Sequence, residues 1–168
     1  MSVRSVRKAT AVRAAAVLGT ALLAFAASSP AAHAAGGGTD STASHLTNVR
    51  WGAHPDFDRV VLDFGGPVPT FGVTRVSELT HCGSGKPVTI PGSSFVELDI
   101  DASAHDENGS STFPGAWQKV LSLPYVTGYA ITCDFEGDFR VGVGIRGTHA
   151  VTTSTLTGPS RIAVDVHR

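Results

Sequence analysis

Apolar and polar residues alternate one for one along several stretches of this chain, and a period of two constrains the backbone to half-buried strands. In residues 95–101 (FVELDID), Val96, Leu98 and Ile100 fall on one face, while Glu97, Asp99 and Asp101 fall on the other. Tyr129, Ile131, Cys133 and Phe135 line one face of a later run, and Phe139, Val141, Val143 and Ile145 one face of the next. Glu136-Gly137-Asp138 stands between those runs as a turn-forming tract, so 126–146 is predicted as a β-hairpin. Ile162, Val164 and Val166, set against Arg161, Asp165 and His167, make a last strand. Residues 58–64, 71–77, 87–90 and 151–155 supply further strands. Only 116–121, with Trp117, Val120 and Leu121 at helical spacing behind Pro114-Gly115, reads as a helical turn. About eight short strands, punctuated by 19 Gly and nine Pro, predict an all-β antiparallel sandwich. Parallel pairing would need helix-length crossovers, for which the connections are too short.

The N-terminus has a different character. Arg4, Arg7, Lys8 and Arg13 precede an apolar run over 14–27, followed by small residues that include Ala32-His33-Ala34. These are the three regions of a secretory signal peptide, predicted over residues 1–34 and cleaved on export. The apolar run falls short of the roughly 20 residues that span a bilayer, so no membrane insertion is expected after cleavage. With no cysteine behind the cleavage region and no adjacent arginines, the expected route is Sec-type and without a lipid anchor. Residues 35–44 (AGGGTDSTAS) read as a flexible leader and 45–168 as one folded domain. The expected location is therefore extracellular, either secreted or cell-wall associated.

Cleavage removes four of the 13 Lys and Arg but none of the 14 Asp and Glu, leaving nine against 14 and a net charge of −5. An acidic chain gains no counterion-release attraction to nucleic acid or to anionic lipid, which sets both aside as partners. Cys82 and Cys133 are the only cysteines, and an even count in an oxidising compartment predicts a disulfide between them.

Chemistry-bearing motifs are sparse. The tract over 99–109 gathers Asp99, Asp101 and Asp106 and is the densest set of oxygen ligands, yet Ala104 stands where a calcium loop requires Gly. Its plainer reading is a strand face running into a polar loop. The six histidines outside the signal are scattered singly, without H-x-H or H-x-x-x-H spacing. Ser84, in Cys82-Gly-Ser-Gly85, lacks the spacing of a nucleophile elbow and reads as a turn residue. Neither a catalytic residue nor a cofactor is indicated. Trp51, Phe113, Trp117 and Tyr125 lie off the clean alternating faces, where they either plug the ends of the sandwich or form a platform for sugar rings. Arg59 and Asp63 share the face opposite Val60, Leu62 and Phe64, so Arg59 faces either a glycan-peptide carboxylate or an acid on the adjacent strand.

Several segments together resemble a known family. They are residues 49–64 (VRWGAHPDFDRVVLDF), the Gly-Ser-Gly, the 96–101 strand, Leu123-Pro124-Tyr125-Val126, Asp134-Phe135-Glu136-Gly137-Asp138, and the closing 158–166 (GPSRIAVDV). In that order they are similar to the AMIN-like domain of secreted proteins and lipoproteins of actinobacteria, over nearly all of 45–168. The resemblance implies a β-sandwich related to the AMIN domain, which brings cell-wall amidases and secretins to the envelope by binding peptidoglycan or a wall-associated partner. It implies no catalytic residues. The last strand ends the sequence without an enzyme domain behind it, which departs from the amidase pattern. The expected function is a non-catalytic envelope module that binds cell-wall glycan or an envelope protein, through candidates Trp51, Arg59, Trp117 and Tyr125. The alternatives are a secreted inhibitor or partner-binding protein, and a metal-dependent hydrolase assembled from His105, Asp106 and a histidine of another loop.

Overall fold

The structure is a computed structural model and describes residues 43–168. The expected signal peptide, and all but the end of the expected leader, lie outside the described residues. Among the described residues nine strands follow one another: β1 (His45–Ala53), β2 (Phe57–Gly65), β3 (Phe71–Val76), β4 (Ser94–Ile100), β5 (Gln118–Val120), β6 (Val126–Phe135), β7 (Asp138–Ile145), β8 (Val151–Leu156) and β9 (Ser160–His167). They form a four-stranded sheet in the order β1-β2-β9-β8 and a five-stranded sheet in the order β3-β4-β7-β6-β5. Every strand pair is antiparallel, and the expected all-β sandwich is the fold.

The alternating faces meet between the sheets. Val60, Leu62, Phe64, Ile162, Val164 and Val166 come from one sheet, and Val96, Leu98, Ile100, Val141, Val143 and Ile145 from the other, in a single buried cluster. Burying each such side chain stabilises by roughly 1.5–3 kcal/mol, which makes this layer the main source of stability. Tyr129 completes it, 2 % exposed, with its hydroxyl donating to the Ala116 carbonyl at 2.9 Å. Burial pushes the Tyr129 phenol above the ordinary tyrosine value of 10.0. The unfolded chain therefore ionises first; this contribution to stability is complete below about pH 10 and is lost as pH rises through the folded value. Urea midpoints measured from neutral to strongly alkaline pH should fall more steeply for the wild type than for Tyr129→Phe. Equal slopes would show that the phenol does not set the alkaline limit.

Three local expectations are corrected. Residues 116–121 form no helical turn; Gln118–Val120 is the edge strand β5, and the ladder continues beyond it through Ile131 N–H to the Trp117 carbonyl (2.7 Å) and Leu121 N–H to the Thr127 carbonyl (2.8 Å). So short a helix is marginal alone, whereas the open edge of β6 supplies unpaired backbone groups. Residues 87–90 form no strand either; Pro87 makes one isolated bridge to Thr80. Instead Leu79, Val88 and Ile90 lie with Phe95 and Ala130 in a second buried cluster. It covers the outer face of the five-stranded sheet. Gly142 and Gly144 form the floor under it, since a Cβ at either would overlap the Leu79 side chain or the Pro91 carbonyl.

The third correction concerns β6. A register shift between Ile131 and Cys133 marks a β-bulge at Thr132, so the four residues expected on one face do not share it. Tyr129 and Ile131 face the core, whereas beyond the bulge Cys133 lies opposite Arg140 and Phe135 opposite Asp138. Phe135 is 65 % exposed. The bulge turns Cys133 towards the covering loop, where it is bonded to Cys82 as expected.

Candidate functional site

Strand β1 ends one sheet and β5 the other, and both edges lie on one open side of the sandwich. Trp51 of β1 is 39 % exposed; its ring lies 5.9 Å from that of Tyr129, and the Lys119 ammonium of β5 sits 5.1 Å from its centroid. Alternate residues of an extended chain point the same way, so Trp117 stands beside Lys119 on this side, 38 % exposed. The ring of Trp117 meets His105 at 5.6 Å, and His105 Nδ1 lies 2.7 Å from Asp134 Oδ2. Asp134 also accepts the Ala104 N–H at 2.9 Å, which fixes the loop carrying His105. Lower on this side, loop 101–117 fills the gap between the sheets: Leu46 N–H reaches the Ser103 carbonyl (2.8 Å), the Thr112 hydroxyl reaches the Leu46 carbonyl (2.8 Å), and Phe113 is buried.

The four tentative binding residues are therefore divided. Trp51 meets Lys119, and Trp117, two residues before that lysine, stands against His105. Phe113, the fourth off-pattern aromatic, plugs the core. Tyr125 stands elsewhere, at the start of β6; it is half-buried, its ring lies 4.7 Å from His149, and its hydroxyl accepts from Arg168 Nε at 3.1 Å. Arg59 lies on the outer face of the four-stranded sheet, paired in a fork with Asp165 of β9 through Nε and Nη2, both at 2.6 Å. Of its two possible partners, then, the acid on the adjacent strand is the one in contact. That hydrogen bonding raises the Arg59 pKa further.

The acidic tract disperses. Asp99 lies opposite Arg140 on β7, and Asp106 Oδ1 turns back to accept the N–H groups of Asn108 (2.9 Å) and Ser110 (2.8 Å). Among the described residues no three His, Cys, Asp or Glu side chains gather as a metal site. His105 faces Asp134, and Asp106 faces its own turn. Ser84 Oγ accepts the Lys86 N–H at 3.3 Å within its turn.

A disulfide-stapled antiparallel sandwich with half-exposed tryptophans along one open side has the form of a small binding domain. The chain belongs to the AMIN-like domain family, whose profile matches residues 44–168. No curated protein and no solved structure matches it. Members of this family are generally non-catalytic binding modules connected with the cell wall and found in secreted or periplasmic proteins.

Proposed function

We propose that this domain is an exported, non-catalytic module that binds the glycan of peptidoglycan along the Trp51, Lys119 and Trp117 side. The observation that carries this reading is the two tryptophans, each more than a third exposed, one against Lys119 and the other two residues before that lysine in the chain. Indole rings held with one face in water stack on the apolar faces of sugar rings, while the ammonium takes hydroxyls or carboxylates beside them. Family membership supports a wall-related partner.

Co-sedimentation of the mature protein with isolated sacculi tests the proposal. Truncating an aromatic anchor typically costs 2 kcal/mol or more, so Trp117→Ala should weaken binding by about 30-fold and the double variant with Trp51→Ala further. Circular dichroism melts separate this from unfolding, because Trp51 also packs on Tyr129. A wild type that stays in the supernatant at low salt, or a double variant that sediments as well as the wild type, would overturn the assignment. Recovery of a protein rather than glycan from culture supernatant would favour the inhibitor reading instead.

A further inference from the structure

The outer face of the four-stranded sheet carries a second feature, which meets the tryptophan edge at Trp51. Strand parity and register place Arg50 of β1, Arg59 of β2 and Arg161 of β9 on that face, together with Asp63 and Asp165. Each aspartate is already engaged: Arg50 donates to Asp63 through Nε (2.7 Å) and Nη2 (2.6 Å), as Arg59 does to Asp165. Both guanidinium groups keep Nη1 without a partner among the described residues. Arg161 donates only through Nε, to the Pro159 carbonyl at 3.2 Å, and forms no ion pair among the described residues. In a chain that is acidic overall, this face has one more cation than anions.

The three arginines surround a groove of about 270 Å³, lined also by Gly52, His54 and Val61. Gly52 is the second observation. It lies in a strand opposite Arg59, its φ is not in the left-handed region, and a Cβ there would meet nothing within 4 Å. Neither packing nor backbone geometry requires glycine at this position, and a strand costs stability for having one. What the missing side chain leaves is open space beside Arg59.

We infer that this groove binds the oxyanion group, carboxylate or phosphate, of an anionic ligand. The aspartates act as struts that hold two guanidinium groups in place, and Nη1 of Arg50, Nη1 of Arg59 and the Nη groups of Arg161 donate to the ligand. Planar guanidinium forks suit carboxylate and phosphate alike. The inference rests on the envelope-binding reading only for where the anion comes from: a phosphodiester polymer or the carboxylates of wall peptides.

Trp51 borders the groove, so its fluorescence reports binding of polyphosphate or poly-glutamate to the mature protein. At about 50 mM salt, where screening is weak, the wild type should bind at least one of them. Arg161→Ala should weaken that binding about tenfold, as expected for one charge-assisted contact, and should lessen its salt dependence. Gly52→Glu, which puts a like charge into open space, should abolish it with the melting temperature little changed. Should Gly52→Glu fold poorly, Arg161→Ala alone decides. Trp117→Ala should leave polymer binding intact. A preference for polyphosphate identifies a phosphate source and a preference for poly-glutamate a carboxylate source. No binding by the wild type, or wild-type affinity in both groove variants, overturns the inference. If Trp117→Ala loses sacculi while the polymers fail to bind, the glycan reading stands and this one falls.

Discussion

Cys82→Ala/Cys133→Ala should unfold at a temperature lower by roughly 15 °C, a loss of about 4 kcal/mol for a cross-link of this loop length in the chain-entropy model. The bond joins residues 51 apart in sequence. It also ties the covering loop to the sheet, and that second role makes the prediction local. Leu79 and Ile90 occupy the space that side chains at Gly142 and Gly144 would take, so the loop is seated on the backbone of the sheet and the disulfide is the covalent tether that holds it there. Amide hydrogen exchange in the double variant should accelerate over 79–90 before it does in β4 or β7. Uniform acceleration, or a melting shift of only a few degrees, would show that the loop holds itself in place.

Asp58→Ala should cost about 3 kcal/mol or more, measured by urea unfolding. This carboxylate is fully buried, and its Oδ2 accepts the backbone N–H groups of Tyr125 (2.6 Å) and Val126 (2.9 Å). Deleting it strands the buried Val126 donor and the part-buried Tyr125 donor, and a buried donor left unsatisfied costs roughly 1–3 kcal/mol. It also frees the turn that leads into β6, the strand on which Tyr129 and the bulge depend. Oδ1 is buried without a hydrogen-bond partner among the described residues. Asp58→Asn keeps an acceptor for the turn, so it should cost less than half as much. If alanine and asparagine prove equally mild, the carboxylate is not what anchors the turn.

Most of the sandwich was legible because its core strands alternate cleanly. The parts that were not share a physical cause. A register shift between Leu46 and Asn48 places Leu46 and Val49, three residues apart, both in the core. That bulge breaks the period of two, so β1 was not among the strands expected. At Thr132 the reverse occurs: the residues alternate without interruption through Phe135, while the backbone inserts one residue against its partner. Periodicity records side chains and not register, which the neighbouring strand sets. Strand β5 is exposed along its length and leaves no burial pattern to read. At the site, Trp51 and Trp117 were marked by lying off the regular faces, but the part played by Lys119 depends on two sheet edges far apart in sequence. Asp58 left a usable signal, an acid at the parity of Val60 and Leu62. Its partners, 67 and 68 residues further on, left none.

The unequal covering of the two sheets gives the domain a front and a back. On one sheet the outer face is upholstered by a disulfide-pinned loop; on the other no loop lies over it among the described residues, and arginines and a vacant glycine position face outward. Handles for experiments should therefore go on the back. A fluorophore or surface tether at Ser84, at the tip of the 82–85 turn, would be carried by the covering loop and leave the bare sheet turned towards whatever is presented to it. Immobilised in that orientation, the protein would display its arginine face uniformly, and a sensor surface built this way would read that face without averaging over others.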